Sequence, residues 1–383
     1  MVYHSGEVST DSSGLFPALD ELLASHDAAG SLDFLIESFR ASGDYGLLFE
    51  ARLMKKRHEL GLPLIQTDSV PDETYQAAVV EAARESGRLF LAAGNIERAW
   101  PYFRAVSETQ PIADAIAQLE PREGLDGVIG IAFQEGVHPL KGLELIMAQH
   151  GMCRAITAFG MQAVAKDREK CIAFLATSLY REIVERMGRA IEGQEGALPL
   201  SHSLPELMEG RPWLFGDWDY YVDTSHLNSI IPYSIEVTDP EVLTGLHELC
   251  EYGKHLSPRF HSAGNPPFEN QYEAYDHYIQ ALLGNSVEEH VDYFRRQVAE
   301  CDAEVAGDAP ARTLVKLLVA LNRPAEALDV LLRDVFEDAP YGVPVPSALQ
   351  LCYQSKDFAR MAELARDRGD LLSYAAGSIM GAS

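Results

Sequence analysis

Apolar residues recur at spacings of three and four along most of this chain, and no segment alternates apolar with polar for the length of a strand. That period belongs to the α-helix, so the sequence predicts an all-α fold. The longest example lies at about 166–192, where Ile172, Leu175, Leu179, Ile183 and Met187 make one stripe. Glu182 with Arg186 and Glu185 with Arg189 stand one turn apart on the side expected to meet water. Further helices are expected at about 14–26, 30–42, 44–60, 139–150, 239–255 and 269–284. The 139–150 helix opens on Pro139, whose missing N–H costs nothing in a first turn, and ends near Gly151. Residues 1–13 are polar and read as a disordered N-terminus.

Two stretches repeat a helix, a tight turn and a second helix. At 73–108, Tyr75, Val79, Ala82, Ala83, Gly87 and Phe90 precede Ala93-Gly94-Asn95, and Ile96, Ala99, Trp100, Tyr102 and Phe103 follow it. At 310–334, Leu314, Leu317, Leu318, Ala320 and Leu321 precede Asn322-Arg323-Pro324, and Ala325, Ala327, Leu328, Val330 and Leu331 follow. A degenerate copy lies at 346–366, around Ser355-Lys356-Asp357-Phe358. These units resemble tetratricopeptide repeats in their small residues at helix crossings, turn chemistry and Ala-then-aromatic second helix. The resemblance implies an α-solenoid of antiparallel hairpins that recognises a partner or a small ligand on its concave face. The expected organisation is hairpins at 14–123, a loop-rich central region at 124–285, and hairpins again at 286–383.

Charge narrows the partners. The chain carries 58 acidic and 31 basic residues, a formal net charge of −27, which repels phosphate backbones and anionic lipid and so excludes general nucleic-acid or membrane binding. With no leader-like N-terminus and no apolar run long enough for a bilayer, the sequence predicts a soluble, cytoplasmic protein. Its five cysteines lack a Cys-x-x-Cys pair and sit among apolar neighbours, so all five are expected as buried, reduced thiols.

Nine of the twelve histidines fall between His138 and His290. The same region holds an irregular segment at 193–222, too rich in aromatic residues for a disordered linker, and a second irregular segment from Ser257 to Pro267. Both could cap one pocket. Trp213, Trp218 and Tyr220 on the first, with Arg259 and His261 on the second, are the candidate ligand contacts: ring faces can hold a cationic or sugar-like group, and a guanidinium fork beside an imidazole can hold a small anion. The plainer alternatives are rings that anchor the loop and side chains that stabilise it.

Phosphate-loop, dinucleotide, His-Glu-x-x-His and Gly-x-Ser-x-Gly signatures are all absent. Two acid-x-x-His units remain, Glu135 with His138 and Asp223 with His226, and with His150 they could hold a divalent transition metal. Against this, Asp223 has the pattern of an N-cap, His138 and His150 stand at opposite ends of one expected helix, and His150 suits a helix C-terminus. His247 is expected as a core residue, His255 at a helix end, and His277 and His290 facing solvent. Binding of a protein or small-molecule ligand is the leading expectation, and a metal-dependent enzyme or metal-binding protein is the alternative.

Overall fold

The computed structural model describes residues 14–65, 72–162, 166–261, 268, 270–336 and 344–382. Among them the chain is all-helical and contains no strand. The disordered N-terminus expected at 1–13, and Ser262–Pro267 of the second irregular segment, lie outside the described residues. Two compact units divide the chain, one comprising Met1–Gly151 with Gln162–Lys166, the other Met152–Met161 with Asp167–Ser383.

The first unit contains α1 (Phe16–Ala24), α2 (Ala28–Ser42), α3 (Tyr45–Glu59), α4 (Glu73–Ala92), α5 (Ile96–Ala105), α6 (Gln110–Ala117), α7 (Asp126–Ile129) and the opening part of α8 (Pro139–Met161). A π-helical turn at Gly130–Gln134 continues directly from α7. Antiparallel neighbours follow from short turns with matched caps. Asp72 opens α4 by accepting the Tyr75 N–H at 2.9 Å, and Asn95 opens α5 by accepting that of Arg98 at 3.1 Å. Between these two helices, Phe103 lies so close to Gly87 that a Cβ there would meet the ring at 2.7 Å, so only glycine allows this crossing.

The second unit takes the rest of α8, then α9 (Arg168–Glu195), α10 (Leu204–Met208), α11 (Thr224–Ile230), α12 (Pro240–His255), α13 (Gln271–Leu282), α14 (Val287–Glu300) and α15 (Ala303–Ala306). It closes with α16 (Ala309–Ala320), α17 (Pro324–Asp334), α18 (Ala348–Ser355), α19 (Phe358–Asp367) and α20 (Leu371–Gly381). All five residues of the α9 stripe are fully buried, and each such side chain contributes about 1.5–3 kcal/mol by leaving water. Glu182 and Arg186 pair at 2.5 Å, and Glu185 contacts Arg189. Farther along, Leu314, Leu317, Leu318, Ala327, Leu328, Leu351 and Cys352 share one core. Ser347 and Gln350 form a reciprocal capping box that starts α18.

Three expectations need correction. The helix that opens at Pro139 does break at Gly151 (φ 78°, ψ 177°), a conformation open in practice only to glycine, but helical backbone resumes at once and runs to Met161. Cys153 is exposed and Cys301 half-buried, while Cys171, Cys250 and Cys352 are buried. The break at Gly151 resets the helical phase, so neighbours in sequence no longer indicate which face Cys153 occupies. His277 and His290 are half-buried and meet each other rather than standing free in solvent. Their Nδ1 atoms lie 2.7 Å apart between α13 and α14, and the His277 ring stacks on Tyr293 at 4.0 Å. Among the described residues no helix is long and apolar enough to cross a membrane.

Candidate functional site

The aromatic segment at 193–222 divides its rings between two tasks. The Tyr221 N–H donates to the Tyr252 hydroxyl at 3.0 Å, and the Tyr221 hydroxyl donates to the Leu214 carbonyl at 3.1 Å. Phe215 packs against Tyr252 and against the ring of His255, 5.2 Å away. Burial pushes the Tyr221 hydroxyl up to about 12, as expected for an anchor seated in a core. Trp213, Trp218 and Tyr220 remain 39%, 74% and 54% exposed.

A 3-10 turn at Pro258–Phe260 meets these outward rings. The Arg259 guanidinium sits over Trp218 at 3.8 Å from the ring centroid, and Phe260 lies 5.2 Å from Tyr220. Ring contact is the whole of Arg259's engagement, since it forms no ion pair or hydrogen bond among the described residues. One residue later, the His261 ring meets Tyr272 edge to face at 5.6 Å, and its Nε2 is buried without a hydrogen-bond partner among the described residues. Tyr272 in turn donates to the Asn228 side chain at 3.1 Å, and Gln271 donates to the Asn228 carbonyl at 3.0 Å. Two residues before Asn228, the Nδ1 of His226 is likewise buried and unpartnered. Leaving such an atom unpaired would cost about 1–3 kcal/mol, so each marks a place for a polar partner.

The other nominated residues hold local positions. Asp223 caps α11, accepting the Ser225 N–H at 2.9 Å, and the Ser225 hydroxyl and N–H hold its carboxyl below the usual range. In the first unit, exposed Glu135 pairs with Arg104 at 3.0 Å, and the Nδ1 of His138 caps α8 by accepting the Lys141 N–H at 3.3 Å. His150 is exposed in an open groove with Pro121, Glu123 and Ala148, its Nε2 3.8 Å from Asp126. Among the described residues none of these belongs to a three-donor group suited to a metal.

The group with that arrangement is His247, Glu251 and Asp276, whose donor atoms all lie within 4.8 Å of one another. His247 and Asp276 hydrogen-bond at 2.6 Å, and Lys254 reaches Asp276 at 2.6 Å and Glu251 at 2.7 Å. The Asp276 contact raises the pKa of His247 against the opposing effect of burial. For Asp276 burial acts upward, but hydrogen bonds from His247 and Lys254 outweigh it and hold the carboxyl low. Beside them, burial and then the neighbouring His290 lower the pKa of His277. Sequence reasoning placed His247 in the core and passed over Asp276. The usable signal was the His-x-x-x-Glu spacing on α12, which puts both side chains on one face.

No protein-family model, no curated protein and no solved structure matches this chain.

Proposed function

We propose that this is a ligand-binding protein built from hairpins arranged as a tetratricopeptide-like solenoid, and that it recognises a small anion on the face formed by Trp218, Tyr220 and Arg259. The observation that carries this reading is the guanidinium of Arg259, stacked on a largely exposed tryptophan and without a carboxylate partner among the described residues, in a chain with a net charge of −27. Stacking fixes the plane of the fork while leaving its N–H donors available, the arrangement suited to bidentate capture of a carboxylate or phosphate. The unpartnered Nε2 of His261, on the same loop, supports a polar ligand nearby. The α4–α5 and α16–α17 pairs, with their tight turns and small buried residues, support the hairpin array. Free thiols at Cys171, Cys250 and Cys352 fit a cytoplasmic setting. A divalent transition metal at His226 is the second reading, and it draws support from that residue's unpartnered Nδ1.

Tryptophan fluorescence of the full chain, titrated with inorganic phosphate, citrate and adenosine monophosphate, tests the proposal. At least one anion should give a saturable response that weakens by about tenfold or more in Arg259→Ala, the loss expected for a charged bidentate contact. Superimposable curves for Arg259→Ala and wild type, or no saturable response to any of the three, would overturn it.

A further inference from the structure

A second group of residues, distinct from those of the loop face, is carried by α12 and α13. We infer that His247, Glu251 and Asp276 form a divalent-metal site whose resident cation, in the metal-free chain, is the ammonium group of Lys254. Two ligands come from one helix: His247 and Glu251 stand one turn apart on α12. The third, Asp276, comes from α13, which packs directly against α12. The spacing between these helices is set by backbone and core contacts. Tyr272 of α13 fills the space over Gly253 of α12, and both residues are buried. The donors are therefore carried on a scaffold that exists before any ion arrives.

The position of Lys254 supplies the second observation. Its Nζ is 2.6 Å from one Asp276 oxygen and 2.7 Å from a Glu251 oxygen, so a cation already occupies the space between the two carboxylates. Unlike the helices, it stands on a flexible four-carbon stem, and its side chain is 31% exposed. It can swing outward to water without crossing the core. A divalent ion taking its place would meet one imidazole nitrogen and two carboxylate oxygens. Gln280, one turn beyond Asp276, touches the His247 ring through its amide nitrogen at 3.0 Å while its amide oxygen accepts from Asn285 at 2.6 Å, so it braces the imidazole. A mixed nitrogen and oxygen set of this size selects a borderline ion such as Zn²⁺ over Ca²⁺ or Mg²⁺, which require more oxygen donors.

The experiment measures calorimetric titration of Zn²⁺ into chelator-stripped, untagged full chain. Lys254→Met keeps the apolar stem and removes the competing charge, so it should bind Zn²⁺ about tenfold tighter or more than wild type and melt at a higher temperature when Zn²⁺ is present. That gain should disappear when Glu251→Gln or Asp276→Asn is added to Lys254→Met. Glu251 is the more exposed of the two ligands, so its variant keeps the test available if the Asp276 change prevents folding, which circular dichroism would report. Arg259→Ala should leave Zn²⁺ binding unchanged, and this separates the metal site from the anion-binding face. Equal or weaker Zn²⁺ binding by Lys254→Met, or a gain that survives loss of either carboxylate, would show that these residues form an ion-pair network alone.

Discussion

The same substitution at two glycines of α12 should have opposite effects. At Gly253 an added Cβ would lie 2.5, 2.6 and 2.7 Å from three ring atoms of Tyr272, whereas at Gly245 it would meet nothing within 4 Å. The Tyr272 ring has no easy retreat, because it is buried, its hydroxyl is bonded to Asn228 and its edge is covered by His261. Overpacking of this severity costs about 3 kcal/mol. Displacing the ring adds about 1 kcal/mol for the strained hydrogen bond. Replacing a glycine inside a helix returns about 1 kcal/mol. Gly253→Ala should therefore lose about 3 kcal/mol and lower Tm by roughly 6–12 °C, given roughly 2–4 °C per kcal/mol for a unit of this size. Gly245→Ala carries only the favourable change and should raise Tm by roughly 2–4 °C. Thermal melts followed by far-ultraviolet circular dichroism would measure both. A Gly253→Ala protein as stable as wild type would refute the claim that the Tyr272 contact fixes the distance between α12 and α13.

Glu236 and Arg168 form a two-bonded ion pair at 2.6 and 3.1 Å, and the Arg168 hydrogen bond, outweighing burial, holds the Glu236 carboxyl below its ordinary value of 4.5. Its folded pKa is depressed, so the stability it contributes is present above that ordinary value and is lost as pH falls through the folded one. Urea unfolding should show Glu236→Gln weaker than wild type by about 1 kcal/mol at neutral pH, with the difference shrinking as pH falls below that ordinary value; a difference independent of pH would contradict this account. Thiol labelling of the native chain, read by mass spectrometry, should modify Cys153 first and leave Cys171 and Cys250 protected until unfolding, and uniform labelling would count against the phase reset at Gly151.

What the sequence made legible is mostly local. The α9 stripe, the Pro139 start of α8 and the Asp223 cap each depend on residues a few positions apart, where period and capping chemistry act directly. The two irregular segments were also recognisable as places where exposed rings and a guanidinium could gather. Which of those side chains meet was not legible. Trp218 and Arg259 are joined by the packing of intervening elements, as are His247 and Asp276 or His277 and His290, and no spacing rule reaches across such distances. The phase of the apolar pattern also fails as a guide wherever backbone geometry interrupts it, which is why Cys153 was misplaced. The π-helical turn at Gly130–Gln134 gave no sequence signal of its own, because it and α7 are 5 and 4 residues long, too short together for an apolar period to register.

The break at Gly151 also has a mechanical meaning. An unbroken helix from Pro139 to Met161 would behave as a rod, so that twisting or sliding one end would move the other. At φ 78° and ψ 177° Gly151 departs from helical geometry, so the face presented before it does not continue in phase after it. One residue thus separates two differently phased helical faces in the middle of what the chain trace presents as a single helix.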